Sequence, residues 1–318
     1  MAAATSSPPT IVVLAGGLSH ERDVSLRSGR RVSQALRDQG HHVIEADVTS
    51  GLFDLLAGLR DPVVFPVLHG GVGEDGALKE VLALLGLPVV GSSAAASRIA
   101  FDKSICTPRL AGIVRTPRQV ALPHDMFREL GARQLVQAVT DELGLPLMVK
   151  PARSGSALGC TKVETAEALP AAMVGAYAYG DMAVIEEFLT GVEVAVTVID
   201  TGSGPYALPA VEIRPTSGVY DYTARYTAGE TRFICPATLS DEVAERCATM
   251  ALTVHRTLGL SDLSRTDIIV RDGEPFFLET NVSPGMTETS LVPLAVEAAG
   301  ADFGELCADL VAAARARG

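Results

Sequence analysis

The sequence has few of the features that define secreted, membrane or zinc-binding proteins. It contains no tryptophan, and its five cysteines among 318 residues are widely spaced, with no Cys-x-x-Cys pair. This pattern gives neither a disulfide framework nor a zinc motif. No apolar run approaches the ~18 residues that cross a bilayer. The start, MAAATSSPPT, has no apolar core of a signal peptide. We therefore expect a cytoplasmic protein without a membrane partner.

Basic residues are also few. Lysine and arginine number 26 against 38 acidic residues, a formal charge of −12, and they form no cluster that could follow a phosphate backbone. Nucleic acid is therefore not an expected partner. The apolar fraction of 47% is that of an ordinary globular protein. Because single cores stop growing at about 250–300 residues, the length predicts two or three domains.

Short apolar runs alternate with helix-like stretches in the first third of the chain. Residues 11–14 and 63–68 are such runs, and each is followed by a pair of glycines. This alternation predicts an α/β fold with a parallel sheet and a ligand site where its strands end. Composition and motif order predict domains at 1–102, 103–190 and 191–318. GGLS is not the GxGxxG pattern, so a dinucleotide site is not predicted.

The segment TDIIVRDGEPFFLETN predicts a β-hairpin that turns at Asp272-Gly273. Folding there brings Asp267 opposite Glu279, in register if the loop has three residues. Asn281 then lies on the same face, because side chains alternate along a strand. Two carboxylates and an amide oxygen suit a hard cation such as Mg²⁺. The alternative is a solvated polar face of an antiparallel sheet.

Further candidate residues follow other strands. Lys150 ends an apolar strand and precedes the small residues SGSALG, which suits phosphate binding, although a flexible surface loop is the alternative. In the strand AVIEEF, only one of Glu186 and Glu187 can face a cleft. The loops GGLSHER and LHGGVGEDG follow two strands of the first domain, where a parallel sheet opens its binding crevice.

Taken in order, these motifs resemble the D-alanine–D-alanine ligases of the ATP-grasp superfamily. The strongest blocks are GGLSHERDVSLRSG, LHGGVGEDG, VKPARSGSALG, VYDYTARY and SRTDIIVRDGEPFFLETNVSPGMTETSLVP. The resemblance implies an α/β, three-domain ATP-grasp fold whose N-terminal domain contains the parallel sheet. It implies an ATP-dependent ligase that condenses two D-alanines through an acyl phosphate for peptidoglycan synthesis. It also implies two Mg²⁺ ions, for which Mn²⁺ could substitute, and a homodimer.

The resemblance assigns a role to each candidate residue. The residues expected to bind ATP are Lys103, Lys150, Glu186, Glu187, Leu189, Glu193 and Arg225. Those expected to hold metal are Asp267, Glu279 and Asn281. The expected catalytic residues are Glu21, Ser156, Tyr226, Arg265 and Gly285, and the expected substrate-binding residues are His69, Ser290 and Leu291. A network of Glu21, Ser156 and Tyr226 is expected to hold the segment 218–230 closed.

Three positions depart from the family pattern. Ala157 replaces a second serine in the phosphate loop, Arg225 replaces a lysine, and Thr107-Pro108 falls where a lysine is common. An arginine is larger and planar, so it need not reach the same phosphate oxygen as a lysine. Two alternatives therefore stay open. One is an ATP-grasp paralogue that activates a different D-amino or D-hydroxy acid, in antibiotic biosynthesis or resistance. The other is a catalytically weak nucleotide-binding homologue.

Overall fold

The computed structural model describes residues 9–216, 218, 220, 224, 227 and 229–317. The chain begins with a parallel sheet in the order β2-β1-β3. Its strands are β1 (Ile11–Leu14), β2 (Val43–Ala46) and β3 (Val63–Pro66), and its helices are α1 (Arg22–Asp38), α2 (Leu52–Ala57) and α3 (Ala77–Leu84). The predicted parallel sheet is confirmed. The run Pro88–Val90 contributes only a single bridge, between Val64 and Val89.

Two helices connect this sheet to the next one. They are α4 (Ala94–Phe101) and α5 (Lys103–Leu110). Ser93 caps α4 by accepting from the Ala96 N–H, and Asp102 caps α5 by accepting from the Ser104 N–H. Such caps satisfy backbone donors that the first helical turn leaves without a partner. The cap at Asp102 therefore fixes the backbone at Lys103, the first residue of α5, and with it the direction in which the lysine side chain starts.

A four-stranded antiparallel sheet follows, in the order β4-β7-β5-β6. Its strands are β4 (Gln119–Pro123), β5 (Leu147–Pro151), β6 (Thr161–Val163) and β7 (Met182–Glu187), and its helices are α6 (His124–Leu130), α7 (Ala132–Leu143) and α8 (Leu169–Tyr177). Alternate residues of β5 are fully buried, Leu147 and Val149 at 0% exposure, and pack in one apolar cluster with Met173 of α8. Lys150 consequently lies on the opposite face of the strand.

The third sheet has the order β11-β10-β8-β12-β13, with β9 paired to β8. Its strands are β8 (Val192–Asp200), β9 (Tyr206–Ala207), β10 (Val211–Pro215), β11 (Thr231–Ile234), β12 (Asp262–Arg271) and β13 (Glu274–Asn281), and its helices are α9 (Asp241–Thr257), α10 (Leu291–Ala298) and α11 (Phe303–Arg317). The helix α9 packs on one face of this sheet, where Val194 and Ile268 belong to the same buried cluster as Cys247 and Val254 of the helix.

The β12–β13 hairpin has the predicted register but reaches it in another way. Arg271 pairs with Glu274, so the loop has two residues, Asp272 and Gly273, both with positive φ. Such a tight turn without further change would place Asp267 opposite Leu278. The register shifts after Asp267, which leaves Leu278 as an extra residue and pairs Asp267 with Glu279. A β-bulge, and not the expected three-residue loop, therefore aligns the two carboxylates.

The apolar core does not stop at the predicted domain boundaries. Ile11 and Phe65 of the first sheet lie in one cluster with Val292 of α10 and Leu310 of α11. Arg317, at the end of α11, forms an ion pair with Asp262 of β12, a residue with 0% exposure. The C-terminal helices thus pack between the first and third sheets. Within the described ranges, no helix combines the length and apolar character that a membrane span requires.

Candidate functional site

Two adjoining cavities contain almost all of the predicted site residues. The large cavity, of about 790 Å³, lies between the second and third sheets and is lined by residues such as Lys150, Glu186 and Asp267. The small cavity, of about 190 Å³, lies beside the first sheet and is lined by residues such as Glu21, His69 and Arg265. Both cavities are lined by Lys103, Ser154, Tyr220 and Glu279. The two spaces therefore meet at these four residues.

Lys150 and Glu186 form a buried ion pair in the large cavity. Their side chains are 11% and 6% exposed, and the Lys150 ammonium contacts Glu186 Oε1. Burial by itself lowers the pKa of Lys150, but the Glu186 carboxylate outweighs it and holds the pKa above its usual range. The lysine is therefore charged at neutral pH. Strand pairing places Lys150 on β5 beside β7, which carries Glu186.

Lys103 holds a second positive charge where the cavities meet. Its ammonium donates to the Ser154 carbonyl at 3.0 Å and lies 3.2 Å from Glu279 Oε2. The Lys103 N–H also donates to the Ala152 carbonyl at 2.9 Å, which ties α5 to the end of β5. Two ammonium groups thus reach the large cavity from two different elements. Such a pair suits an anionic ligand with several charges.

The third sheet places its acidic residues beside an arginine. Arg265 donates to both oxygens of Asp267, from Nε at 2.7 Å and from Nη2 at 2.8 Å. Burial opposes the charge on Arg265, but Asp267 holds its pKa above the usual range. Asn281 on β13 lies opposite Arg265 on β12 in the strand pairing, and its Oδ1 accepts from the Ser283 N–H at 2.8 Å.

Asp267, Glu279 and Asn281 share one face of the hairpin, because they occupy paired or alternate positions in its register. Each offers an oxygen, and these hard ligands fit Mg²⁺ or Mn²⁺ better than a softer metal. In this structure Lys103 neutralises the carboxylate of Glu279, and Arg265 neutralises that of Asp267. The donor set is therefore consistent with the predicted metal site, and a cation there would share the carboxylates with these two bases.

Glu21 lies in the small cavity between two glycines. Its carboxylate accepts from Ser156 Oγ. A Cβ added at Gly70 would lie 2.5 Å from Glu21 Oε2, and one added at Gly155 would lie 3.0 Å from the same atom. A side chain at Gly70 would displace the carboxylate, and one at Gly155 would shift it by a few tenths of an ångström, so both glycines help to set its position. The Glu21–Ser156 bond connects the first domain to the loop after β5.

The loop between β13 and α10 forms another wall of the small cavity. Gly285, Ser290 and Leu291 all line it. Ser290 Oγ accepts from the Thr287 N–H at 3.0 Å, and a Cβ on Gly285 would lie 2.8 Å from the same oxygen. Any side chain at Gly285 would thus disturb Ser290. Ser290 also precedes the first residue of α10, where backbone N–H groups favour an anion.

His69 lines the small cavity, but both of its ring nitrogens already have protein partners. Nδ1 lies 2.9 Å from the Ser283 carbonyl, and Nε2 lies 3.1 Å from Ser28 Oγ. Burial lowers the pKa of the ring below its usual range, and this effect outweighs the opposing influence of Glu21. The imidazole is therefore neutral at physiological pH.

The structure brings most of the predicted residues to one of the two cavities. The residues that line the large cavity include Lys103, Lys150, Glu186, Leu189, Glu193, Asp267 and Glu279. Those that line the small cavity include Glu21, His69, Ser156, Arg265, Asn281, Gly285, Ser290 and Leu291. Tyr226 and Arg225 lie outside the described residues.

Glu187 is placed differently from its neighbour Glu186. Its Oε1 accepts from the Arg118 N–H at 3.1 Å, and it lines neither cavity as far as these are formed by described residues. The alternation along β7 thus selects Glu186 as the member of the pair that faces the large cavity, as the strand pattern required.

Sequence reasoning did not assign Glu74, which also lines the small cavity. The residue is 7% exposed, and burial, together with the nearby Glu21 carboxylate, raises its pKa to about 8. Its carboxyl group is therefore mostly protonated at neutral pH. The signal was present in the segment LHGGVGEDG, but a single glutamate in a glycine-rich loop does not reveal that it is buried.

Two of the three departures can be located. Ala157 lines the large cavity with a φ of +56°, next to Ser156 with a φ of +53°. Left-handed backbone costs an L-residue about 1–2 kcal/mol, so this loop is held in place by its surroundings. Thr107 is 4% exposed within α5 and lines neither cavity in the described part of the chain.

The chain was compared with protein families and with individual proteins. Residues 111–312, more than half of the chain, match the family described as the D-ala D-ala ligase C-terminus. A D-alanine–D-alanine ligase from Nitrosomonas eutropha is 42% identical over 300 residues, which cover 93% of this chain and 94% of that protein. The chain belongs to the D-alanine–D-alanine ligase family. The predicted family is thus confirmed, and with it the class of ATP-dependent carboxylate–amine ligases.

Solved structures of such ligases share the fold. The D-alanine–D-alanine ligase of Bacillus anthracis complexed with ATP superposes with a TM-score of 0.81 at 28% identity, covering 97% of this chain and 98% of that one. The VanG D-Ala:D-Ser ligase of Enterococcus faecalis gives a TM-score of 0.84 at 27% identity, with 97% and 100% covered. The predicted ATP-grasp fold is confirmed. The likeness extends to ligases with different second substrates.

Proposed function

We propose that the protein condenses two molecules of D-alanine to D-alanyl-D-alanine, with ATP and Mg²⁺, for peptidoglycan synthesis. The observation that carries this proposal is the meeting of the two cavities at Lys103 and Glu279. The large cavity has room for a nucleotide, and the small one for amino acids. Their junction is where a terminal phosphate and a carboxylate would meet.

The large cavity would bind ATP. Lys150 and Lys103 would neutralise its phosphates, since both residues line this cavity and each ammonium is held there beside a carboxylate. Leu189, 7% exposed, would contact the adenine, and Glu193 the ribose. Glu186 would keep Lys150 charged and oriented. Glu187 is not part of the proposed ATP site, because its carboxylate accepts from the Arg118 N–H.

Asp267, Glu279 and Asn281 would hold the divalent cations. When bound, Mg²⁺ supplies charge neutralisation for the phosphoryl group in transfer and a fixed geometry for its oxygens. The residues themselves are arranged for this by the bulge at Leu278, which aligns Asp267 with Glu279. Two ions, with Mn²⁺ as a substitute, are the expected content of the site.

The small cavity would bind both amino acids. Glu21, held by Ser156, would accept the ammonium group of the first D-alanine. Ser290 and the start of α10 would bind the carboxylate of the second. Tyr226, together with Arg225, belongs to the segment expected to close over the site, and its role rests on the sequence motif.

The reaction would proceed in two displacements. A carboxylate oxygen of the first D-alanine attacks the γ-phosphorus of ATP, and ADP leaves with the electron pair of the broken P–O bond. The free amine of the second D-alanine then attacks the carbonyl carbon of the acyl phosphate. Inorganic phosphate leaves with the electron pair of the broken C–O bond, and the proton of the amine passes to the departing phosphate. Arg265 and the Gly285 N–H would stabilise the oxyanion of this second step, since both residues line the small cavity.

D-Serine is a second candidate for the second substrate, and a phosphate-release assay tests both candidates. The VanG D-Ala:D-Ser ligase shares the fold over nearly the whole chain, so the fold alone does not select the second substrate. Phosphate release should be measured with ATP and D-alanine alone, and with D-alanine plus D-serine or D-lactate. We expect D-alanine alone to support full turnover. Turnover only with another acid would assign the protein to a paralogous ligase, and none at all to a weak nucleotide-binding homologue.

The proposal places the enzyme in the cytoplasm as a homodimer that binds only small molecules. Its net charge of −12 supports the absence of a nucleic-acid partner. Light scattering coupled to gel filtration tests the dimer. A monomer at micromolar concentration would contradict that part of the proposal and leave the reaction unaffected.

A further inference from the structure

His69 is placed at the substrate cavity but is bonded like a structural residue. The Ser283 carbonyl has no hydrogen to donate, so the 2.9 Å contact requires the proton on His69 Nδ1. In the neutral ring, Nε2 is then an acceptor, and Ser28 Oγ is its donor at 3.1 Å. The Ser28 oxygen in turn accepts from the Met286 N–H at 3.1 Å. Both ring nitrogens are therefore used within the protein.

These bonds converge on one short loop. His69 contacts Ser283, and Ser28 contacts Met286, on either side of Gly285. A further bond, from Ser283 Oγ to the Leu68 carbonyl at 2.8 Å, fixes the same loop to the end of the first sheet. The loop carries Gly285 into the small cavity. Helix α1 and the strand end of the first domain thus determine its position.

We propose that His69 is a positioning residue: with Ser28 it fixes the Ser283–Met286 loop that presents Gly285, and it is not itself a substrate ligand or base. This inference rests on the proposed function insofar as Gly285 acts on the reacting carbonyl. The fixing of the loop is a property of the structure alone. Ser28 is buried at 0% exposure and lines neither cavity, so any effect of its hydroxyl must pass through His69 and Met286.

Helix α1 offers a matched control. Ser33 is likewise 0% exposed, and its Oγ has no hydrogen-bond partner among the described residues. Ser33→Ala therefore removes the same buried hydroxyl group without removing a bond to the loop. Ser28→Ala removes the donor to His69 and the acceptor of the Met286 N–H together. The comparison isolates these bonds from the general cost of changing a buried serine.

The kinetic experiment compares Ser28→Ala, His69→Ala, the double variant and Ser33→Ala by D-alanine-dependent phosphate release. We expect Ser28→Ala to lower kcat about tenfold, the effect of one or two lost hydrogen bonds at the transition state. The KM for ATP should stay within about twofold, because residues 283–286 are not among the described residues that line the large cavity. Ser33→Ala should match the wild type. In the His69→Ala background, Ser28→Ala should add little, since both act through one loop.

A conservative variant gives an additional readout. The amide nitrogen of asparagine lies near the position of Nδ1 in histidine, so His69→Asn can still donate to the Ser283 carbonyl. It should recover part of the activity that His69→Ala loses. Wild-type kcat in Ser28→Ala would overturn the catalytic effect of the loop contact, and additive effects of the two alanine changes would mean that His69 acts by a route separate from Ser28. If Ser28→Ala does not fold, Ser28→Cys, nearly isosteric and a weaker donor, replaces it.

Hydrogen exchange separates this inference from the proposed function. In Ser28→Ala and His69→Ala, amides of residues 282–290 should exchange faster, while Ser33→Ala leaves that segment unchanged. Unchanged exchange in all three variants would overturn the inference, whatever their activity. If the wild type releases no phosphate with D-alanine, the proposed function fails, and the exchange data alone decide whether His69 and Ser28 fix the loop.

Discussion

The two cavities hold their charged groups in different ways. In the large cavity, side chains neutralise one another: Lys150 pairs with Glu186, and at the junction Lys103 pairs with Glu279. In the small cavity, Arg265 is likewise paired with a carboxylate, that of Asp267, but Glu21 and His69 are fixed by neutral partners and by the backbone. Glu21 is held by Ser156 and enclosed by two glycines, and His69 is held by Ser28 and a carbonyl.

This difference matches what each cavity would bind. A phosphate can bind beside the ammonium of such an ion pair and a cation beside its carboxylate, and each charge then keeps a neighbour of opposite sign. A small amino acid offers few groups for recognition, so its site gains more from partners that are already in place. The large cavity therefore depends on charge, and the small cavity on geometry. Four substitutions test this comparison.

The largest effect is expected for Glu279→Gln, at the junction of the cavities. Glutamine keeps the size of the side chain but removes the charge that a cation and Lys103 require. We expect kcat to fall at least ~10²-fold, as for the loss of one preorganised electrostatic partner. Glu274→Gln on the same strand is the control, because Glu274 is 39% exposed and pairs with Arg246. If Glu279→Gln turned over near the wild-type rate at saturating Mg²⁺, Glu279 would not be a metal ligand.

Glu186→Ala tests the buried pair by its effect on stability. Without Glu186, the ammonium of Lys150 is left buried and uncompensated, which we expect to lower the free energy of unfolding by about 3 kcal/mol. ATP should restore part of this loss, since its phosphates supply the missing charge. Thermal unfolding with and without ATP measures both effects. Glu80→Ala, which breaks the exposed pair with Arg98, should change neither value measurably, since neither residue lines the large cavity as far as the described ranges form it.

Gly155→Ala tests the geometry of the small cavity. The added Cβ would lie 3.0 Å from Glu21 Oε2 and displace the carboxylate by a few tenths of an ångström. We expect kcat/KM for D-alanine to fall about tenfold with little change in the KM for ATP. Gly175→Ala is the control, because a Cβ there meets no atom within 4 Å. Equal losses for both substrates would mean that the loop after β5 serves the large cavity as well.

The smallest effect is expected at Ala157, the departure that lines the large cavity. A serine there would add one hydroxyl contact to phosphate, worth about 0.5–1.5 kcal/mol, so the KM for ATP should fall by at most about tenfold. Ala157→Gly relieves the positive φ without adding a hydroxyl, and should leave the KM for ATP unchanged. A lower KM in the glycine variant would attribute the effect to backbone strain. Arg225→Lys can be combined with either change.

The sequence predicted more of the large cavity than of the small one. The place of Lys150 at a strand end, and the rule that only one of Glu186 and Glu187 can face the cavity, follow from strand periodicity, a local property of the residue order. The structure decided that the residue facing the cavity is Glu186. The family motifs added Lys103, Leu189 and Glu193. In the small cavity, the sequence named Glu21 and Ser290 through motifs, but gave no reason to expect Glu74 to be buried or His69 to be saturated with protein partners.

The hairpin separates what the sequence by itself determined from what only the tertiary structure decided. Residue order determined that two alternating runs turn at Asp272-Gly273 and carry acidic residues on one face. It did not determine the register, which depends on a bulge at Leu278. Likewise, Ser28 is an ordinary serine in a helix pattern until the third sheet brings Met286 and Ser283 against it. Local patterns depend on neighbours in the chain, whereas a bulge or a contact across 258 residues depends on how whole elements pack.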